Sequence, residues 1–197
     1  MNEHPILFST PMVKSILEGR KTQTRRVIKP QREKFRIGFQ PNTWFYGAGD
    51  DGVIDVDGVI GCPYGQPGDH LWIRETWQRC PECGRVVYQA SSNQNGKVCP
   101  NCDEWLGPWK PSIHMFREYS RLTLEVVRVR VERLHEISEE DIRAEGTPTP
   151  NPPPNKWMDD SKWRATFSNL WDSINEKRGF GWGRNPWVWV VEFKRLH

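Results

Sequence analysis

The chain has 197 residues, 36% of them hydrophobic, and a net charge of only +3, which suits one core with a sizeable insertion better than two domains. Its first segment has no basic start, long apolar run or small-residue cleavage site, and no later stretch is apolar over a bilayer's thickness, so the expectation is a soluble, cytoplasmic protein with no membrane partner. The charge is uneven: residues 1–40 hold nine Lys or Arg against three Glu, among them Arg25, Arg26, Lys29, Arg32, Lys34 and Arg36, which suits a phosphate-bearing ligand or single-stranded RNA, or else a plain solvated face.

In chain order, Ile6-Leu7-Phe8 is a short apolar strand. Thr10-Pro11 follows as an N-cap with proline at the first helical position, and Val13, Ile16 and Leu17 form one face of a short helix that Gly19 ends. The next residues, Arg20-Lys21-Thr22-Gln23-Thr24-Arg25-Arg26, join that glycine to an amine, a hydroxyl and guanidiniums. In an extended strand Lys21 and Thr24, three apart, face opposite ways, so their cooperation calls for a turn or coil here; a surface loop with ordinary basic residues is the plainer alternative. From Gln31 to Gly61 the sequence is rich in Gly, Asp and aromatics without a sustained period and reads as loops with one or two irregular strands.

Pro67-Gly68-Asp69 is a turn into a strand from His70 to Trp77, with Leu71 and Ile73 opposite Trp72. Two tight turns follow, Cys80-Pro81-Glu82-Cys83-Gly84 and Cys99-Pro100-Asn101-Cys102, separated by 15 residues, enough for a hairpin. Thiols of a cytoplasmic protein stay reduced, so Cys80, Cys83, Cys99 and Cys102 predict a four-thiolate structural zinc site in a ribbon over residues 78–110, with iron as the rival metal. Cys62 stands outside that pattern as a small buried side chain.

The chain resumes at Arg121 with Leu122, Leu124 and Val126 on one face. Val127, Val129 and Val131 continue the alternation with its phase slipped by one, which predicts a β-bulge. Ser138 caps a helix whose first turn is acidic, and Gly146 closes it. Residues 147–160 open with five prolines in nine positions and read as an irregular surface segment. From Ser161, the residues Trp163, Phe167, Leu170, Trp171 and Ile174 recur at helical spacing, and their one-sided period points to core packing. Asn185-Pro186 starts a last strand, Trp187 to Leu196. Eleven tryptophans among basic groups also suit stacking of unpaired bases, although most of these rings belong to the core.

Gly19, Lys21, Thr24 and Arg26 together resemble the Gly-x-Lys-x-x-(Glu or Thr)-x-Arg signature of the ASCH family, whose members have PUA-like barrels that receive nucleotides or RNA. The likeness extends to the Gly68-Asp69 turn, to a helix ending in Glu over residues 134–145 and to Val190-Val191-Glu192-Phe193-Lys194. It is closest to the bacterial N4-acetylcytidine amidohydrolases, which are about half as long. The cysteine ribbon and Pro-rich segment look like those of the larger ASCH proteins carried by phages and prophages. The resemblance implies an α+β fold, a small mixed β-barrel with flanking helices, in one domain over residues 1–197 with the zinc ribbon inserted. It implies catalysis by Lys21 as base, Thr24 as nucleophile and Glu145 as the group serving the leaving amine. Arg26, Glu75 and His114 are candidates for substrate contact, His114 equally for a structural hydrogen bond. A non-catalytic RNA-binding module and a ribonuclease are the other readings of the same basic groove.

Overall fold

The computed structural model describes residues 1–32, 35–37, 44–46, 58–92, 98–150 and 159–196. Its elements are β1 (Glu3–Leu7), α1 (Thr10–Leu17), β2 (Gln23–Val27), β3 (Phe35–Ile37), β4 (Trp44–Tyr46), β5 (Gly58–Ile60), β6 (His70–Arg74), β7 (Trp77–Arg79), β8 (Val86–Tyr88), β9 (Thr123–Arg133), α2 (Glu139–Ala144), α3 (Asp159–Asn175) and β10 (Trp187–Arg195). This is the mixed α+β class expected. Five strands form the main sheet in the order β1-β6-β9-β10-β2, with β1 parallel to β6 and the other pairs antiparallel.

β10 explains how the sheet is covered. Its residues are apolar almost without alternation because both of its faces are buried. Trp189, Val191 and Phe193 join Phe8, Val13, Ile16, Leu71, Ile73, Leu124 and Val126 in one core, while Val188 and Val190 face Leu134, Ile137, Ile142, Phe167 and Trp171 in a second. α1 therefore covers one side of the sheet and α2 with α3 the other. No helix among the described residues is long and apolar enough to cross a membrane.

The bulge lies where the phase slips. Phe193 pairs with Val126 but Glu192 pairs with Arg128, so Val127 is the extra residue, 51% exposed between buried Val126 and exposed Arg128. Ser138 caps α2, its hydroxyl accepting from the Asp141 N–H at 3.1 Å.

Several boundaries differ from expectation. The N-cap of α1 is Ser9, because the Thr10 hydroxyl instead donates to Gln89 Oε1 at 2.6 Å. The strand from His70 breaks after Arg74, where Glu75 turns inward to Arg121, and β7 starts a separate hairpin with β8. Among the described residues between Gln31 and Gly61 there are three short strands in one antiparallel sheet, with β4 paired on both sides. Helix α3 starts at Asp159, two residues before Ser161. Of the Pro-rich segment, residues 151–158 lie outside the described residues, as do Lys34 and the Arg36 side chain.

Candidate active site and metal centre

The stretch expected to be a turn is β2 itself, because Thr24, Arg25 and Arg26 pair with Val191, Val190 and Trp189 of β10. Alternation then sorts the motif. Gln23 and Arg25 face α2, while Thr24 and Arg26 face the α1 side. Lys21 precedes the last ladder pair and forms an isolated bridge with Glu145. Its ammonium donates to the Glu145 carbonyl oxygen at 2.7 Å and to Glu145 Oε2 at 2.8 Å. It also lies 5.7 Å from the Phe8 centroid, and the Arg26 guanidinium lies 5.1 Å from the same ring. Lys21, Arg26 and Phe8 are thus grouped on the face that carries Thr24, itself only 2% exposed.

Glu145 ends α2 as its C-cap, and Gly146 follows at φ +73°. The glycine is required there: a Cβ would come within 2.8 Å of Lys21 Cβ and 2.9 Å of Ser15 Cβ. The second carboxylate oxygen of Glu145 accepts from Arg25 Nη1 at 3.2 Å. Two buried cations, Lys21 and Arg25, therefore share one carboxylate. Burial pulls the Lys21 amine below its ordinary pKa; Glu145 opposes this, while Arg26 and Arg25 reinforce it.

Arg25 continues into a charge network on the α2 side. It bonds Glu132 at 2.5 Å and Asp141 at 2.7 Å, and Arg130 bonds Glu132, Asp141 and Glu192 in turn. Burial works to raise the Asp141 carboxyl, but Arg25 and Arg130 hold it below the usual range. A groove of about 320 Å³ is lined by Thr22, Gln23, Glu140, Asp141, Glu192 and Phe193 among others, and Thr24 is not part of its lining. This network went unread in the sequence. The signal was present as charges at every second position of β9, Arg128, Arg130 and Glu132, but which strand they face follows only from register.

The remaining candidates lie apart. Glu75 is buried and held by a two-pronged contact from Arg121 at 2.9 and 3.0 Å, so both carboxylate oxygens are committed. Arg121 in turn lies 4.1 Å over the Tyr88 ring. His114 sits exposed in a 3₁₀ turn whose Ile113 carbonyl accepts from Arg74. Tyr64, which the sequence did not single out, has its ring 5.9 Å from the Arg26 guanidinium.

The four cysteines converge, with all sulfurs within 4.8 Å of one another. Cys80 and Cys102 are 3.5 Å apart and Cys83 and Cys99 3.7 Å, close to the roughly 3.8 Å edge of a tetrahedron of thiolates about 2.3 Å from one metal ion. The two knuckles share one backbone design. Gly84 N–H donates to the Cys80 carbonyl and Cys80 N–H to Arg85, while Asp103 donates to Cys99 and Cys99 to Glu104. Gly84 and Asp103 both take positive φ, at +70° and +58°. The β7–β8 hairpin carries the first knuckle and the Val98–Trp105 bridge the second, over a small core of Val87, Leu106 and Trp109. The donor set fits a tetrahedral metal ion.

No protein-family model matches the chain, and no curated protein matches it by sequence. Among solved structures, the ASCH domain from Lactobacillus crispatus JV V101 is similar over 98% of this chain and 79% of its own, at 12% identity and a TM-score of 0.41.

Proposed function

We propose that the chain is a hydrolase that removes an acyl group from a modified pyrimidine of the N4-acylcytidine type. The observation that supports this most is Lys21: an amine wholly buried, bonded to Glu145, lowered in pKa by its burial, and carried three residues before Thr24. An amine whose pKa is lowered gives up a proton more readily than an ordinary lysine, which suits it to a base's role. In this reading Thr24 Oγ bonds to the acyl carbon as Lys21 takes its proton, and Arg26 stabilises the developing oxyanion. The carbon–nitrogen bond then breaks, with the proton passing from Lys21 through Glu145 to the leaving amine. Water cleaves the Thr24 ester and releases the acid. Glu75 and His114 drop out of the chemistry in favour of a structural pair with Arg121 and a surface position.

In the same reading the sheet is the wall of a PUA-like barrel within a single domain over residues 1–197, and 78–110 is an insertion. The four cysteines hold zinc, with no open position for water and so a structural role. The test is a panel of N4-acylated cytidines incubated with purified protein, with cytidine release followed by chromatography. Turnover of at least one member is expected. No turnover of any, alongside binding of short RNAs, would give the site to the RNA-binding reading.

A further inference from the structure

Alternation along β6 puts Leu71 and Ile73 in the core and His70, Trp72 and Arg74 on the opposite face. Register carries that face across β1 to Glu3, Pro5 and Leu7, all exposed, so this end of the sheet is not closed by α2 or α3. What lies against it are two 3₁₀ turns, Ser112–His114 and Arg117–Tyr119. Arg74 donates from Nη2 to the Ile113 carbonyl, and Arg117 donates to the two Glu3 carboxylate oxygens at 2.7 and 2.9 Å. Between them the Trp72 ring has the Arg74 guanidinium at 5.6 Å and that of Arg117 at 6.0 Å.

The second turn carries this surface onto the cysteine ribbon. The Tyr119 ring lies 4.9 Å from Trp77 and 5.9 Å, edge-on, from Phe116, and the Tyr119 carbonyl accepts from the Tyr88 hydroxyl at 2.7 Å. Lys110 Nζ stands 5.1 Å from the Trp77 ring, and backbone bonds with Trp77 in both directions, at 2.8 and 3.2 Å, fix it there. The result is one connected strip of rings and cations. Phe116 and Ile113 remain 63% and 56% exposed on it. Arg74 and Lys110 have no carboxylate partner among the described residues, since Arg117 already holds Glu3, and Glu118 is the carboxylate of the turns left without a cation. An open ring flanked by cations that lack counter-ions complements a chain of phosphates carrying unpaired bases: each base offers a face to stack on, and each phosphate a charge.

We propose that the strip from Arg74 and Trp72 across Phe116 to Lys110 is a docking surface for a single strand of nucleic acid, with a base on Phe116 and phosphates at Arg74 and Lys110. It lies on the opposite side of the sheet from Thr24 and Arg26 and does not depend on the hydrolase reading. The test is fluorescence-anisotropy titration, at several salt concentrations, of a labelled ten-nucleotide oligouridine, an RNA duplex of that length and an acidic ten-residue peptide. The proteins are the parent, Phe116→Ala and Lys110→Gln; both side chains are exposed, so the changes leave the cores intact. The parent binds the single strand more tightly than the duplex or the peptide. Phe116→Ala weakens that binding about tenfold, and Lys110→Gln lowers the slope of log affinity against log salt by about 0.7. No binding of the single strand overturns the proposal, as does duplex or peptide binding of equal strength. Parental affinity in Phe116→Ala or a parental salt slope in Lys110→Gln overturns it too, and places any bound strand elsewhere, such as on the basic residues 20–26.

Discussion

Replacing Glu145 with glutamine leaves the Lys21 ammonium and the Arg25 guanidinium facing one another with the carboxylate between them gone. Both cations are almost fully enclosed, with side-chain exposures of 0% and 1%. Breaking a buried pair by removing one partner costs about 3–5 kcal/mol. The lower end applies here, because Lys21 keeps its bond to the residue-145 carbonyl and Arg25 keeps Glu132 and Asp141. A loss of about 3 kcal/mol in a chain of this size lowers Tm by roughly 6–12 °C. The deficit also depends on pH. Without the carboxylate, the folded-state pKa of Lys21 falls further below its unfolded value, so the folded state binds fewer protons and stability rises with pH up to the unfolded pKa, about 10.4. Urea titrations of parent and variant at pH 7 and pH 9.5 measure both effects. A variant within about 1 kcal/mol of the parent, or a deficit that does not narrow at pH 9.5, refutes the view that Glu145 holds buried charge together.

Gly146→Ala should cost about 2–4 kcal/mol, from positive φ together with a Cβ pressed on Lys21 and Ser15, whereas Gly19→Ala, at similar φ but with open space around it, should cost about 1–2, as denaturant midpoints will show. Purified protein should contain one zinc per chain by elemental analysis, and cobalt exchange should give the absorption of a tetrahedral tetrathiolate; red iron-bound protein from zinc-replete cells would contradict the zinc assignment. Because Arg25 and Arg130 hold Asp141 below its unfolded pKa, its contribution to stability is complete above about pH 4 and is lost as pH falls through the folded value, so Asp141→Asn should flatten the acid limb of a Tm-versus-pH curve.

Features governed by short-range chemistry were legible in the sequence. The cysteine spacing, the cap at Ser138 and the phase slip at Val127 each depend on neighbours a few positions apart. The face assignment of the motif was not, because it depends on β2 pairing with β10, more than 160 positions away, and that pairing turned an expected coil into a strand. Lys21 and Glu145 are separated by 124 positions, and only the family resemblance brought them together in advance. Glu75, read as a candidate for substrate contact, has its carboxylate held by Arg121 from 46 positions further on. Long-range ion pairs leave no period in a sequence.

The rate at which Thr24→Val releases cytidine from N4-acetylcytidine, measured beside the parent and Lys21→Arg after their folding is checked by circular dichroism, tests the proposed chemistry most directly. Valine keeps the volume of a side chain that is 2% exposed while removing the attacking oxygen, and arginine keeps the charge but cannot serve as a base. Turnover by the parent, falling on the order of a thousandfold or more in each variant, is the predicted result. A Thr24→Val protein that releases cytidine as fast as the parent, or a parent that releases none, contradicts it.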